Sequence, residues 1–287
     1  MAFEEYENPE DLKKVQRLST LILAELDRVC RKLEIPYVVF AGTALGAVRH
    51  GGFIPWDDDV DVAMARADYE RFLTEAPKEF DQRFYIANSR NEPCFPCTFS
   101  YLCLSDTLCI PTFYKDCEFK KPLSIDIFPL DRVPEDDDAF KRQTRRTWFW
   151  GRLAFLRATP APYLSFDGIK RHVVLAACGL AHILLRLFNV KMEVIQRKWD
   201  DAAQMYNGTT SPIFADYSEW DQSRWSVLED ELFDSIDVPF ESIIVKLPRN
   251  YDAMLTRLYG DYMTLPPVEQ RKNHRPYLLD FGPYASY

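Results

Sequence analysis

Ala41-Gly-Thr-Ala-Leu-Gly-Ala-Val-Arg-His50, a Gly51-Gly52 turn, then Phe53-Ile-Pro-Trp-Asp-Asp-Asp-Val-Asp-Val-Ala-Met64 is the stretch on which the fold turns. Near its end stand four carboxylates within five residues: Asp57, Asp58, Asp59 and Asp61. Asp59-Val60-Asp61-Val62 alternates carboxylate with β-branched apolar, the period of a half-buried strand. In such a strand Val60 and Val62 face the core, while Asp59 and Asp61 share the other face about 6.5–7 Å apart. Neighbouring carboxylates repel, so the pair calls for a cation, and hard oxygen ligands suit Mg²⁺ or Mn²⁺. A calcium-binding loop or a solvated acidic turn is the plainer reading, but polar residues would then follow the acids.

Upstream, Tyr37-Val-Val-Phe40 reads as a second strand that runs into Gly42-Thr43. A glycine lets the backbone approach a ligand closely, and the Thr43 hydroxyl and following amides can hold a phosphate. Arg49 adds a planar positive fork for the same group. Downstream, Leu123-Ser-Ile-Asp-Ile-Phe128 puts Asp126 on an otherwise apolar strand, where an unpaired carboxylate is costly. A hydrogen-bond partner in the core would answer that cost. Beside Asp59 and Asp61 the better reading is a third metal carboxylate.

Gly42-Thr-x-Leu-Gly-x-x-Arg49 followed by Ile54-Pro-Trp-Asp-Asp-Asp-x-Asp61 resembles the LicD family of phosphocholine transferases, related to fukutin. That family is in turn similar to the nucleotidyltransferase superfamily. The run from Ile125 to Asp131, Tyr251–Pro267 and Arg271-x-x-His274 extend the resemblance to residues of about 10–134 and 225–275. It implies an α+β fold, a nucleotidyltransferase-like mixed β-sheet core flanked by helices, with an added helical subdomain. It implies transfer of a phospho-alcohol, typically phosphocholine from CDP-choline or another CDP-alcohol, to a glycan hydroxyl. The acceptor would be a cell-surface polysaccharide or a teichoic-acid-type precursor, free or lipid-linked. Asp59, Asp61 and Asp126 would hold Mg²⁺ or Mn²⁺, and Asp126 would deprotonate the acceptor. Gly42 and Thr43 would cradle the donor phosphate, and Arg49 would stabilise charge on the leaving nucleotide. Asp57 and Asp58 would order the loop, with His50, Arg271 and His274 as further phosphate contacts.

The 287-residue chain, 47% hydrophobic and 28% charged, has the composition of a folded protein. The acidic N-terminus, without an apolar run, reads as no signal peptide, so a cytoplasmic protein with reduced thiols is expected. Asn8-Pro9-Glu10-Asp11 starts an amphipathic helix to about residue 33. Phe99–Leu104 and Thr107–Ile110 read as a hairpin around Ser105-Asp106. Cys94-x-x-Cys97 has metal-like spacing, but a zinc site usually offers two such pairs; buried structural thiols are the preferred reading. Fukutin-like relatives can carry a zinc-binding insertion, which keeps the alternative open.

Residues 141–198 hold twelve Lys or Arg against Asp167 and Glu193, net +10 within a chain of net −9, so the remainder carries −19. An acidic body disfavours a nucleic-acid partner. The apolar run His172–Phe188 lies in the basic segment, and its His and Arg argue against a bilayer-spanning helix. A helix buried in a subdomain is slightly preferred over one resting on anionic lipid, which would be a peripheral contact with the inner membrane face. Trp199, Tyr206, Tyr217, Trp220 and Trp225 could box a quaternary ammonium, though core packing accounts for most single aromatics. The chain divides into a core (1–134), a basic helical segment (135–200) and a C-terminal part packing on the core (201–287). Two rival functions are a true nucleotidyltransferase, releasing pyrophosphate from an NTP, and a non-catalytic membrane-docking scaffold.

Overall fold

Asn8 accepts the Glu10 N–H at 3.1 Å and Pro9 fills the first turn, so helix α1 (Pro9–Leu33) begins at the signalled residue. Its apolar stripe, Val15, Leu18, Ile22, Leu26 and Val29, is fully buried against the central sheet. The computed structural model describes residues 6, 8–162, 164, 166–219, 221–271, 273 and 275–287. The chain continues through β1 (Val38–Val39), α2 (Ala41–His50), β2 (Asp61–Ala65), α3 (Arg66–Glu75) and β3 (Phe84–Ala87). Then come β4 (Ser100–Leu104), β5 (Leu108–Ile110), β6 (Ser124–Arg132), α4 (Asp137–Ala158), α5 (Ile169–Leu187) and α6 (Met192–Ala203). The last part holds β7 (Ile213–Asp216), β8 (Ser226–Leu228), α7 (Glu229–Phe233), β9 (Ser235–Phe240), β10 (Ile243–Pro248), α8 (Tyr251–Tyr259) and β11 (Leu278–Asp280).

The main sheet is mixed and has seven strands, in the order β1-β2-β6-β4-β3, with β7 and β8 added beside the far end of β6. The decisive pairing is parallel, β2 with β6, in the register Asp61 beside Asp126 through Ala65 beside Leu130. Parallel pairing needs a long crossover, and residues 66–123 supply it. Val60, Val62, Ile125 and Ile127 are fully buried, as the alternation required.

Three readings of the sequence change. The β4–β5 hairpin does not form: β4 pairs with β3 and β6, while β5 pairs with β11 near the C-terminus. Both strands read as apolar and adjacent, and nothing local said that each would find a distant partner. Residues beyond 200 do not merely pack on the core, since β7 extends the sheet itself by pairing with β6. Helix α5 is not buried; of its nineteen residues only His182 is, and its Nδ1 lies 2.8 Å from the Leu156 carbonyl.

One register step past the β2/β6 ladder, buried Arg66 grips fully buried Asp131 through two bonds of 3.0 and 2.6 Å. Arg66 also reaches Asp200 on α6 at 3.2 Å, which ties the helical segment to the sheet. Asn207 donates to Asp131 at 2.7 Å, so the buried charges are hydrogen-bonded as well as paired. Arg66→Ala or Asp131→Ala should lower unfolding free energy by about 3–5 kcal/mol in urea titration, because each leaves a buried charge alone. A loss under about 1 kcal/mol would show the clamp to be dispensable.

Asp216, buried on β7, accepts from Ser218 N and Oγ at 2.8 and 2.6 Å. Burial nevertheless pushes its carboxyl up to about 7, with Glu219 and Asp131 adding to the effect. A folded-state pKa above the unfolded value means that folding takes up a proton. This contribution is present below the unfolded value and is lost as pH rises toward 7. Asp216→Asn keeps an acceptor for Ser218, so the variant should gain about 2 kcal/mol relative to wild type between pH 5 and pH 8. Parallel pH–stability curves for the two proteins would refute this.

Candidate active site

The acidic cluster forms where α2, the loop 51–60 and the β2/β6 pair meet. The chain enters α2 through Ala41 at φ 46°, a left-handed conformation that is strained for a non-glycine residue. Thr43 Oγ1 accepts the Asp61 N–H at 2.8 Å and so fixes α2 onto the start of β2. A Cβ on Gly42 would lie 2.9 Å from Asp57 Oδ2, so the close approach that this glycine permits is to a carboxylate of the protein itself. Asp57 shares a hydrogen bond with Asp59, and Asp58 accepts from the Tyr6 hydroxyl at 2.8 Å. Asp57 and Asp58 thus order the loop just ahead of Asp59.

The electrostatics report crowding. Burial raises the Asp61 carboxyl well above the usual range, and Asp59, Asp126 and Asp57 raise it further. Asp57 is raised in the same way, by burial and then by Asp59. Asp126 is pushed up to about 6 by burial, with Lys121 pulling it down and Asp59 pushing it up. Lys121 Nζ stands 3.6 Å from Asp126 Oδ1 and 4.4 Å from the Tyr101 ring centre. Burial works against its charge, but Asp126 outweighs that and keeps it protonated. Asp59, Asp126 and Lys121 line one cleft of about 290 Å³, walled by Phe99, Tyr101 and Tyr114.

The donor set, hard carboxylate oxygens with more negative charge than one lysine offsets, has the chemistry of a Mg²⁺ or Mn²⁺ site. As the side chains stand, no three His, Cys, Asp or Glu among the described residues are set to hold an ion. Strand register places Asp61 and Asp126 as neighbours, yet Lys121 is the cation beside Asp126.

A basic, aromatic patch adjoins the cluster. Arg49 donates to the Tyr262 carbonyl at 2.8 Å and to His50 at 3.0 Å. Burial lowers both, and the positive charge of Arg271 acts on Arg49 while that of Arg49 acts on His50. Arg271 lies over Trp56 at 5.2 Å, and His50 meets the same ring edge-on at 6.5 Å. Burial raises the Tyr259 phenol, Asp61, Asp57 and Asp59 raise it further and Arg224 opposes them, so it links the patch to the carboxylates. His274 lies outside the described residues.

Lys121, Tyr259, Arg224 and Glu219 were missed in the sequence. Lys121 stands just ahead of β6 in a Lys-Lys-Pro run that reads as a solvated turn, and only the folded crossover reveals its partner. The two thiols of Cys94-x-x-Cys97 part company: Cys94 donates to Glu118 at 2.8 Å, while Cys97 meets the Tyr114 and Tyr101 hydroxyls at 2.7 and 3.1 Å. Cys30, Cys103 and Cys117 are buried.

A second cavity of about 150 Å³ shares Cys97, Phe99 and Tyr114 with the acidic cleft. Its remaining wall includes Trp148, Phe155, Trp199, Tyr217 and Glu219. Of the aromatics named from sequence, Trp199 and Tyr217 are here, whereas Trp225 packs edge-on against Phe40 and Tyr259. The Tyr206 hydroxyl instead accepts from Arg142, and Trp220 lies outside the described residues.

The family model described as the LicD/FKTN/FKRP nucleotidyltransferase domain matches residues 34–158, which contain the whole acidic cluster. Residues 34–158 are thus similar to a LicD-family domain. Over 277 residues it is 28% identical to the lipopolysaccharide cholinephosphotransferase LicD of Haemophilus influenzae, covering 92% of this chain and 95% of that one. It is also 30% identical over 114 residues to an uncharacterized protein of Rickettsia prowazekii, covering 40% of this chain and 39% of that protein. The similarity to LicD therefore runs through the basic helical segment as well, which the motifs alone did not reach.

Gly42→Ala tests the geometry of the cluster. Asp57 must swing away from the new methyl group and will loosen Asp59. Activity should fall at least tenfold while the melting temperature moves little; an active Gly42→Ala protein would separate Asp57 from the site.

Proposed function

We propose that this protein transfers phosphocholine from CDP-choline to a hydroxyl of a glycan carried on lipopolysaccharide or a comparable lipid-linked carrier. The observation that carries the reading is the in-register pairing of Asp61 with Asp126, with the charges of Asp59 and Asp57 crowding Asp61. Near full-length similarity to a lipopolysaccharide cholinephosphotransferase supports the choice of reaction. Asp59, Asp61 and Asp126 would hold Mg²⁺ or Mn²⁺, which neutralises charge on the diphosphate.

The acceptor oxygen forms a bond to the choline-bearing phosphorus, and the bond from that phosphorus to the CMP oxygen breaks. The acceptor proton passes to Asp126, the carboxylate that lines the cleft beside Lys121. Lys121, held charged beside Asp126, offsets negative charge at the transferring group. Arg49 and Arg271 supply positive charge for the departing nucleotide phosphate. The choline head would occupy the smaller cavity, whose wall includes the aromatic Trp148, Phe155 and Tyr217 and the carboxylate of Glu219, the residue types that take a quaternary ammonium.

Incubation with a panel of CDP-alcohols and Mg²⁺ should release CMP from CDP-choline, faster with acceptor glycan present. Release of pyrophosphate from an NTP would instead establish the nucleotidyltransferase reading. Asp59→Asn, Asp61→Asn and Asp126→Asn should each abolish turnover without unfolding the protein. Trp148→Ala should raise KM for CDP-choline about five- to tenfold with kcat nearly kept, in line with the strength of a cation–π contact. The same variant should leave the KM for an uncharged donor such as CDP-glycerol unchanged; equal effects on both donors would remove choline from this cavity.

A further inference from the structure

Helix α5 turns an apolar stripe to solvent. Ile169, Val173, Leu180, Ile183, Leu184 and Leu187 recur at three- and four-residue steps, which places them on one face along the whole helix. All six are exposed, Ile169 to 84% and Leu187 to 74%, and Phe188 continues the stripe at 75%. The opposite face, centred on buried His182, packs toward α4. A solvent-facing helix in a water-soluble protein would carry the reverse pattern, so this face is built to be covered.

Charge identifies the cover. Lys170 stands at the start of the stripe and Lys191 just beyond its end, while Arg171 and Arg186 at the same two ends are each paired with a carboxylate, Asp167 and Glu118. Helix α4 beside it exposes Trp148 and Phe149 among Arg145, Arg146 and Arg152. Apolar residues flanked by cations, with aromatic side chains nearby, are the composition of a helix lying in a lipid headgroup region. No single helix among the described residues is long and apolar enough to cross a bilayer, and the chain bends by 107° into α6. Two copies of this face would bring like charges together, since residues 141–198 carry +10, whereas an anionic lipid surface complements them. The −19 remainder would be repelled from that surface, which would orient the protein.

We propose that the outward face of α5 docks the protein on an anionic lipid bilayer. Docking would bring the active site to a lipid-borne acceptor, so its use rests on the proposed function, although the binding itself does not. The test is flotation of the full chain with phosphatidylglycerol vesicles and with phosphatidylcholine vesicles. The wild type should float with the first and not the second, and bind several-fold less as salt rises from about 0.1 to about 0.5 M. Leu180→Glu/Leu187→Glu, and separately Lys170→Glu/Arg171→Glu, should each lose at least tenfold in vesicle binding while melting like wild type. Wild-type flotation with both vesicle types or neither, or variants that float unchanged, would overturn the proposal. So would a wild-type dimer that fails to float and that Leu180→Glu/Leu187→Glu converts to monomers, which would make the face a contact between copies. CMP release measured on the same samples reports the catalytic reading on its own, whichever way the vesicles divide.

Discussion

The parallel register of β2 against β6 is the constraint on which the rest of the molecule depends. At one end it sets Asp61 beside Asp126; one step beyond the other end it brings Arg66 to Asp131. The first junction concentrates negative charge that the fold only partly offsets. The second pairs its charges fully and anchors α3 and α6. A slip of one residue would move Val62 and Ile127 off the apolar face and turn the carboxylates into the hydrophobic core, so the core and the site specify the register together.

The cost of the acidic junction falls on stability. Raised pKa values at Asp57, Asp61 and Asp126 mean that their ionised forms disfavour the folded state. The apolar contacts of α1 and the sheet, together with the buried Arg66 clamp, outweigh that cost. Strain at Ala41 and the tight approach of Gly42 to Asp57 lie in the same few residues, so local penalties gather at the acidic cluster.

The sheet core and the carboxylate cluster were legible because they follow from alternation and spacing. Asp59-Val60-Asp61-Val62 and Ile125-Asp126-Ile127 each declare one apolar and one polar face. Asn8-Pro9 announced α1 to the residue. What could not be read were long-range partners: β5 with β11, β7 with β6, and Lys121 with Asp126. Each joins segments that carry no local mark of the other. Helix α5 misled for a different reason, because an apolar run looks alike whether protein or another surface covers it. The residues named as phosphate contacts divide similarly: His50 and Arg271 meet Trp56 and Arg49 bonds to His50, whereas the Thr43 hydroxyl is engaged by the Asp61 N–H.

On the proposed function, the β2/β6 register creates a site for a divalent cation out of carboxylates that otherwise repel. Electron paramagnetic resonance of Mn²⁺ titrated into metal-free protein tests it most directly. The free-ion signal should fall as one or two ions bind per chain, and Asp61→Asn and Asp126→Asn should each weaken binding at least tenfold while folding normally. Undiminished Mn²⁺ binding by both variants would contradict the account.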